Sequence, residues 1–429
     1  MMRSMFSGVS GLRAHQTRMD VIGNNVANVN TVGFKSGRVT FQEVFSQTLS
    51  GAGAPDEALG RGGTNPMQVG LGVGVATIDT MMTRGSTQRT DNPTDLSIEG
   101  EGFFIVKGSK NDSYKFTRAG NFGVDKLGNL VTGSGMYVYG WMNYEKEADG
   151  TVNFLTEEEI QPINIFEGGT IPNKRVIPPQ ATTNAAFAGN LDLGATETIS
   201  IPFTVYDSLG QAHNYAVKIT KGTDTGEWNY DVVEKVVGPD GKLVELPDKL
   251  IEGGTMQFDT FGKLDSADPT IIEVDYDGAE KLVVNLDFSK ITSYAGDTSA
   301  KATNVNGYTT GEIVTFNIGS DGRITGIYSN GQQMPLGLIA VANFANPAGL
   351  QKVGENLFMP TSNSGEFAKA VQPGAEGTGK LSPGTLEMSN VDLSREFTDM
   401  IVTQRGFQAN SRIITTSDEM LQELVNLKR

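Results

Sequence analysis

Both ends of the chain carry apolar residues at the spacing of a helix that packs along another helix. Near the C-terminus an apolar residue recurs every seven positions, at Leu393, Met400, Phe407, Ile414 and Leu421. The companion positions four residues along are Phe397, Gln404, Ser411, Asp418 and Val425, of which only the outer two are apolar. Such a stripe is narrow and becomes buried only against a partner helix. The pattern predicts a helix of about 35 residues and roughly 50 Å.

The N-terminal stretch shows the same kind of spacing, with alternate steps of four and three. Its positions are Met5, Val9, Leu12, Gln16, Met19, Gly23 and Val26. Gln16 and Gly23 weaken the stripe. At the other end of the chain, Asp392 or Ser394 is a candidate N-cap, and Lys428 and Arg429 suit the negative end of a helix dipole. The sequence therefore predicts a helix at each terminus.

The middle of the chain has the two-residue period of β-strands. The segment from Phe203 to Ile219 reads as a strand, a turn at residues 207–210 and a second strand. Similar patterns occur at residues 103–106, 129–131, 282–288 and 316–324. Glycine, asparagine and aspartate at the turns are typical of short-stranded β structure.

The order of these regions predicts an α+β fold, mainly β, with paired coiled-coil-like terminal helices and nested, discontinuous β domains between them. The glycine-rich stretches 51–75 and 371–384 lie inward of the helices and read as connectors. We predict a terminal helical domain of 1–30 and 390–429 and a connecting arm of 31–75 and 371–389. The inner β domain would comprise 76–144 and 305–370, and the outer one 145–304.

The composition argues against catalysis, metal binding and binding to nucleic acid. The chain has a formal charge of −16 and no cysteine, and its only histidines are His15 and His213. An acidic chain is a poor ligand for nucleic acid or anionic membranes, and without thiols or histidine clusters the common metal sites are excluded. We predict no catalytic residue, no cofactor and no bound metal.

Individual motifs have plain structural readings. The glycines of 70–74 and 100–102 lack the Lys-Ser/Thr of a phosphate loop and indicate turns or close backbone packing. The run Glu157, Glu158 and Glu159 lacks calcium-ligand spacing and indicates a solvated acidic face. Trp141 and Trp228 are expected in the core.

No stretch approaches 18 apolar residues, and the first residues lack the apolar region of a cleaved signal peptide. We therefore expect no membrane insertion. These features would indicate a cytoplasmic protein, but a route that exports unfolded chains without cleavage would leave the same sequence.

The half-polar stripes leave two readings open. The terminal helices could pair within one monomer, or the pair could also pack against copies of itself. In the second reading the polymerisation interface is formed by Met5, Val9, Leu12, Met19, Val26, Leu393, Phe397, Met400, Phe407, Ile414 and Leu421.

Several long motifs resemble the bacterial flagellar rod and hook proteins. The N-terminal run is residues 10–35, which contains Asn24-Asn25-Val26-Ala27-Asn28 and Gly33-Phe34-Lys35. The C-terminal runs are 387–393, 404–412 and 424–429, and internal matches occur at 96–104, 116–122, 328–331 and 342–347. The long segment between Trp141 and Asn304, with a hook-like run at 205–210, resembles the hook members more than the short rod members.

The resemblance implies a structural, non-enzymatic subunit that assembles into a curved, flexible tube coupling rod to filament and transmitting torque. It implies an extracellular place in the flagellum and export through the flagellar type III apparatus. The implied partners are other copies of the chain and the distal rod, hook cap and hook–filament junction proteins. A distal rod protein and a hook-associated junction protein of the same family remain alternatives, and a secreted surface enzyme is a remote one.

Overall fold

The computed structural model describes residues 2–55, 62–109, 111–147, 151–224, 226–237, 243–276 and 278–427. The chain forms two compact units. The first unit is Met1–Pro172, Asn317–Thr325 and Pro335–Arg429, and the second is Asn173–Phe316 and Gly326–Met334. The second unit is thus an insertion in the first.

The two helices are at the ends of the chain, as the apolar spacing predicts. Helix α1 is Met2–Ala27 and helix α2 is Leu393–Leu427, a helix of 35 residues. Asp392 is the N-cap of α2, because its Oδ1 accepts the backbone N–H groups of Ser394 at 2.9 Å and Arg395 at 3.3 Å. Ser394, the alternative cap, lies inside the helix. Lys428 and Arg429 lie outside the described residues.

Apart from one short 3₁₀ turn, the regular secondary structure in the described remainder is β, so the predicted fold class is confirmed. Before the insertion the strands are β1 Gly37–Glu43, β2 Ser46–Ser50, β3 Met67–Gly70, β4 Val73–Thr80, β5 Thr87–Arg89, β6 Leu96–Glu99, β7 Phe103–Lys107, β8 Lys115–Thr117, β9 Phe122–Val124, β10 Leu130–Thr132, β11 Tyr137–Trp141, β12 Tyr144–Lys146, β13 Val152–Phe154 and β14 Gln161–Pro162.

In the inserted unit they are β15 Val176–Ile177, β16 Asn184–Asp192, β17 Ile199–Tyr206, β18 Ala212–Lys221, β19 Glu227–Val237, β20 Leu243–Phe258, β21 Leu264–Asp268, β22 Ile271–Val274, β23 Leu282–Tyr294 and β24 Lys301–Val305. The chain then continues through β25 Gly311–Ile318, β26 Arg323–Tyr328, β27 Gln333–Ile339, β28 Val341–Ala342, β29 Gln351–Gly354, β30 Leu357–Met359, β31 Ala370–Val371, β32 Lys380–Pro383 and β33 Thr385–Glu387, with a short 3₁₀ turn at Pro347–Gly349.

The first unit is centred on a sheet with the strand order β11-β7-β8-β30-β29, in which each strand pairs with the next. Its core is aromatic: the Phe116 ring lies 4.8 Å from that of Phe344, and Phe103 packs edge-on against Phe344 and Phe358. Trp141 is buried here, as predicted. Two further pairs, β6 with β32 and β5 with β33, join segments that precede and follow the insertion.

The second unit is a two-layer β structure. One sheet has the antiparallel order β17-β18-β19-β20-β21, and the other has the order β22-β23-β16-β24, with β16 and β23 parallel. Their apolar faces share one core that contains Trp228, Phe187 and Phe288. The predicted hairpin at 203–219 is confirmed, because Tyr206 pairs with Ala212 and Ile199 with Ile219.

The glycine-rich stretches contain strands as well as turns. In 51–75 the structure has β3 and the start of β4, which pair with β2 and β1. At Gly100, φ is +147° and a Cβ would lie 2.8 Å from Gly379 Cα, so this glycine serves close backbone packing as predicted. The whole of 157–159 is exposed, which confirms the solvated acidic face.

Candidate assembly face on the terminal helices

Helices α1 and α2 pack antiparallel through small residues. The side of α1 that faces α2 presents Gly8 and Gly11, and a Cβ on Gly11 would lie only 2.8 Å from Asn410 Nδ2. Reciprocally, α2 presents Gly406 to α1, and a Cβ on Gly406 would lie 2.8 Å from the His15 ring. One side chain from each helix therefore fills the space above a glycine of the other, which fixes their axial register.

Polar side chains complete this contact. Arg18 Nη2 lies 2.9 Å from Asp399 Oδ1, and Asn25 Nδ2 donates to Glu396 Oε1 at 3.1 Å. Thr403 is buried, with its hydroxyl bonded to the Asp399 carbonyl of its own helix at 2.6 Å. Because this hydroxyl is satisfied locally, its burial carries no unpaired polar group. The partly exposed ion pair contributes less than about 1 kcal/mol.

The predicted interface residues are not buried by this helix pair. Val9, Leu393, Phe397 and Phe407 are exposed, with Phe397 at 49% and Phe407 at 38%. The remaining members are half-buried: Met5, Leu12, Met19, Val26, Met400, Ile414 and Leu421. Ile414 is the member brought to α1, since its Cγ1 lies 3.3 Å from the Cβ position of Gly8. The contact between α1 and α2 thus uses a different stripe from the predicted one.

Further apolar residues on the helices are exposed and lie outside the predicted set of interface residues. They are Met2, Phe6, Ile401, Val402, Ile413, Met420, Leu424, Val425 and Leu427. At 100° per residue, the predicted stripe of α2 flanks its contact with α1 on one side, and Val402, Ile413, Met420 and Leu424 flank it on the other. The sequence signal for them is the adjacent apolar pairs, such as 401–402, 413–414 and 424–425, which widen a narrow seven-residue stripe.

A buried carboxylate ties the inner ends of both helices to the β structure. Glu387 Oε1 lies 2.5 Å from Lys35 Nζ and accepts the Gly85 N–H at 3.1 Å, and Glu387 Oε2 lies 3.4 Å from Arg118 Nη1. The backbone carbonyl of Glu387 accepts the Gly33 N–H at 2.8 Å. Burial lowers the pKa of Lys35 and of Arg118, and the Glu387 charge opposes that shift.

Two asparagines complete this junction. Asn25 exchanges two hydrogen bonds with the backbone of Gly37, at 2.8 and 2.9 Å. Asn390 accepts the Ser36 N–H at 2.8 Å and donates to the Met81 carbonyl at 2.8 Å. Lys35, Arg118, Glu387 and both asparagines lie in the motifs on which the family resemblance rests, but their pairing needs the three-dimensional contact.

The segment after α1 exposes apolar side chains of its own. Strands β1 and β4 pair with each other, as do β2 and β3. Its exposed members are Val44, Phe45, Leu49, Met67, Val69 and Ile78. Among the described residues no helix is long and apolar enough to span a bilayer, and no three His, Asp or Glu side chains are placed to hold a metal ion.

Four family models match the chain. Residues 5–35 match "Flagella basal body rod protein", and residues 97–173 match "Flagellar hook protein FlgE/F/G D1 domain". Residues 173–308 match "Flagellar basal body protein FlaE D2 domain", and residues 382–427 match "Flagellar basal body rod FlgEFG protein C-terminal". The match at residues 5–35 contains most of α1, and the match at residues 382–427 contains all of α2.

Relatives match over their full length. The flagellar hook protein FlgE of Borreliella burgdorferi is 42% identical and that of Treponema pallidum 41%, each with 100% of both chains covered. The flagellar basal-body rod protein FlgG of Bacillus subtilis is 33% identical, also with 100% of both chains covered. The chain therefore belongs to the flagellar rod and hook protein family, and within it to the hook protein FlgE group.

Proposed function

We propose that the chain is a hook subunit that assembles into a tube through the apolar surfaces of α1 and α2. One observation carries the proposal: the buried positions of the two helices are mostly small or polar, with Ile22 the one large apolar side chain among them, while large apolar side chains on both flanks stay exposed. The eleven predicted interface residues would lie between copies. This is the second of the two readings left open by the sequence.

Burial between copies accounts for the exposed side chains. Transferring a leucine or phenylalanine side chain out of water contributes about 1.5–3 kcal/mol. Burying several such residues together can offset the entropy lost on association, which the burial of one side chain cannot. Because they flank the α1–α2 contact on both sides, each pair can contact one neighbour on either side, and a repeated contact of this kind generates a helical assembly.

We further propose that different segments of the chain have different roles in the assembly. The terminal segments 1–30 and 390–429 form the polymerisation domain, and 31–75 with 371–389 form the connecting arm. The inner β domain, 76–144 and 305–370, and the outer one, 145–304, contact neighbouring subunits in a way that tolerates bending. The exposed Val44, Phe45 and Leu49 support a contact role for the arm.

Torque would enter and leave each subunit through its helices. The Glu387 junction supports this role, because one carboxylate joins the segment after α1 and the segment before α2 to the β structure. A curved tube built in this way couples rod to filament. The distal rod, hook cap and hook–filament junction proteins would be its partners, and the subunit would leave the cell unfolded through the flagellar export apparatus.

A distal rod subunit is the second candidate, favoured by the full-length identity to the Bacillus rod protein. The two functions differ in the polymer. Electron microscopy of assembled tubes separates them, because a hook is curved and bends whereas a rod is straight.

Two substitutions test the assembly proposal. Phe407→Asp and Ile414→Asp each place a charge on the predicted interface, and we expect no tubes by electron microscopy. Phe407→Asp should leave both units folded by circular dichroism, whereas Ile414→Asp also weakens the contact of α2 with α1 at Gly8. Thr416→Asp is the matched control, because Thr416 is exposed and lies opposite Phe407 around α2. Normal tubes from Phe407→Asp would refute the proposal.

A further inference from the structure

Six turns among the described residues share one five-residue backbone. In each, the N–H of the first residue donates to the carbonyl of the fifth, and the N–H of a glycine at the fourth position donates to the carbonyl of the first. The fourth-position glycines are Gly128, Gly135, Gly210, Gly262, Gly322 and Gly331, with φ between +73° and +93°. Glycine is required there because other residues are strained at positive φ.

Three of the six turns also begin with the same side chain in the same role. Asp125, Asp207 and Asp259 each accept, through Oδ1, the N–H groups of the third and fifth residues at 2.8–2.9 Å. These turns are therefore held by four hydrogen bonds and do not depend on the residue at the third position.

The third position divides the six turns into two groups. In the three turns that begin with aspartate it is apolar and exposed: Leu127 at 65%, Leu209 at 64% and Phe261 at 81%. In the other three it is Ser134, Asp321 or Asn330. The turn backbone forms with either an apolar or a polar residue at the third position. Turn formation therefore does not explain why three of these turns expose an apolar side chain to solvent.

We propose that Leu127, Leu209 and Phe261 are contact points for neighbouring copies of this chain in the assembled tube. The proposal rests on the assembly proposed above. A single leucine or phenylalanine is far too small for a free interface, which buries about 800 Å² on each partner, and its burial does not offset the entropy lost on association. It can bind only a surface already held nearby, which is the situation of adjacent subunits in a polymer.

The topology of the second unit fits contacts in two directions. Leu209 follows β17, where β17 and β18 meet, and Phe261 follows β20, where β20 and β21 meet. In the antiparallel order β17-β18-β19-β20-β21 these turns lie at opposite ends of the sheet. A subunit with one apolar tip at each end of a sheet can touch a neighbour at each end, as head-to-tail assembly requires.

The test measures the monomer concentration that remains in solution above sedimented tubes. We expect Phe261→Gln and Leu209→Gln each to form tubes but to raise this concentration about tenfold, which corresponds to about 1.4 kcal/mol per subunit. Thr260→Gln, at the exposed second position of the Phe261 turn, and Ser134→Gln are the matched controls and should stay within about twofold. Circular dichroism and the fluorescence of the buried Trp228 verify folding.

A second experiment identifies the neighbour directly. Benzoylphenylalanine at position 261 should give a covalent dimer of the chain on irradiation of tubes and none in dilute monomer. Tubes with unchanged soluble concentration for both variants, or tubes without a crosslink, would overturn this inference and leave the proposed function intact. If the unsubstituted chain forms no tubes, the proposed function fails and this inference fails with it.

Discussion

The inserted β unit and the terminal helix pair bury their apolar residues in opposite ways. In the β unit Phe187, Trp228 and Phe288 are buried within one chain. In the helix pair the buried positions include Gly8, Gly11 and Thr403, whereas Phe397 and Phe407 face water. The β unit has a core of its own, but the helices expose apolar surface for which a single chain provides no cover. If the exposed helix surface binds other copies as proposed, substitutions in the β unit should affect the stability of the monomer, and substitutions on the helices should affect assembly.

The largest effects should come from making the same substitution, phenylalanine to alanine, in each of the two regions. Phe288→Ala removes a ring stacked 5.1 Å from that of Phe187, and we expect it to lower the free energy of unfolding of the second unit by about 3–5 kcal/mol. Phe407→Ala should change monomer stability by less than about 0.5 kcal/mol and yet impair tube formation. Urea unfolding followed by Trp228 fluorescence in a Trp141→Phe background measures the stability of the Phe288→Ala variant. For Phe407→Ala, urea unfolding followed by helical circular dichroism measures monomer stability, and sedimentation measures tube formation. Equal losses of monomer stability would remove the distinction.

Glu387→Gln should come next, because it removes the carboxylate shared by two buried cations. Loss of one partner of a buried ion pair costs about 3–5 kcal/mol. Trp141 fluorescence during urea unfolding reports this unit. Asp399→Asn, which breaks the partly exposed pair with Arg18, is the matched control and should cost less than about 1 kcal/mol. A small effect of Glu387→Gln would show that the junction does not hold the two helices to the β structure.

Overpacking the glycine contacts tests whether the helices need close approach. Gly11→Leu would force a side chain into Asn410, and we expect a loss of about 1–3 kcal/mol. Gly23→Ala is the opposite case: Gly23 lies in α1 with no atom within 4 Å of its Cβ position. It should stabilise the helix by about 0.5–1 kcal/mol. Thermal unfolding followed by helical circular dichroism measures both, and destabilisation by Gly23→Ala would contradict the described packing.

The smallest expected effect is a pH dependence of the helix pair. Burial, together with the nearby Arg18 charge, lowers the pKa of His15 below 6.5. The folded chain therefore binds a proton less readily than the unfolded one, so stability is full above pH 6.5 and falls as the pH drops below it. Burial also raises the pKa of Glu396, so the contribution of this carboxyl group to stability increases as the pH falls. The difference between the parent and His15→Gln isolates the histidine; identical pH profiles would exclude its role.

Periodicity was sufficient to predict both terminal helices and several of the strands, but not the contacts between them. The seven-residue repeat predicts α2, and alternation predicts the hairpin around Asp207, because both patterns are local. The stripe that α2 turns toward α1 was missed, since Thr403, Gly406 and Asn410 are not apolar and a hydrophobic pattern does not mark them. The Glu387 junction was missed for a second reason: Lys35 and Glu387 are 352 residues apart, and no local pattern joins them.

That separation has a consequence for the order of folding. The carboxylate that completes the first unit stands within the last 45 residues of a 429-residue chain, and its ammonium partner within the first 40. Contacts of such sequence distance form late, after a large loop has closed. Most of the inserted unit is one continuous segment, residues 173–316, and it can close its sheets while the ends are still apart. A chain interrupted before Glu387 can therefore still form the inserted β unit, but it lacks the carboxylate of the junction and all of α2, on which the proposed assembly surface lies.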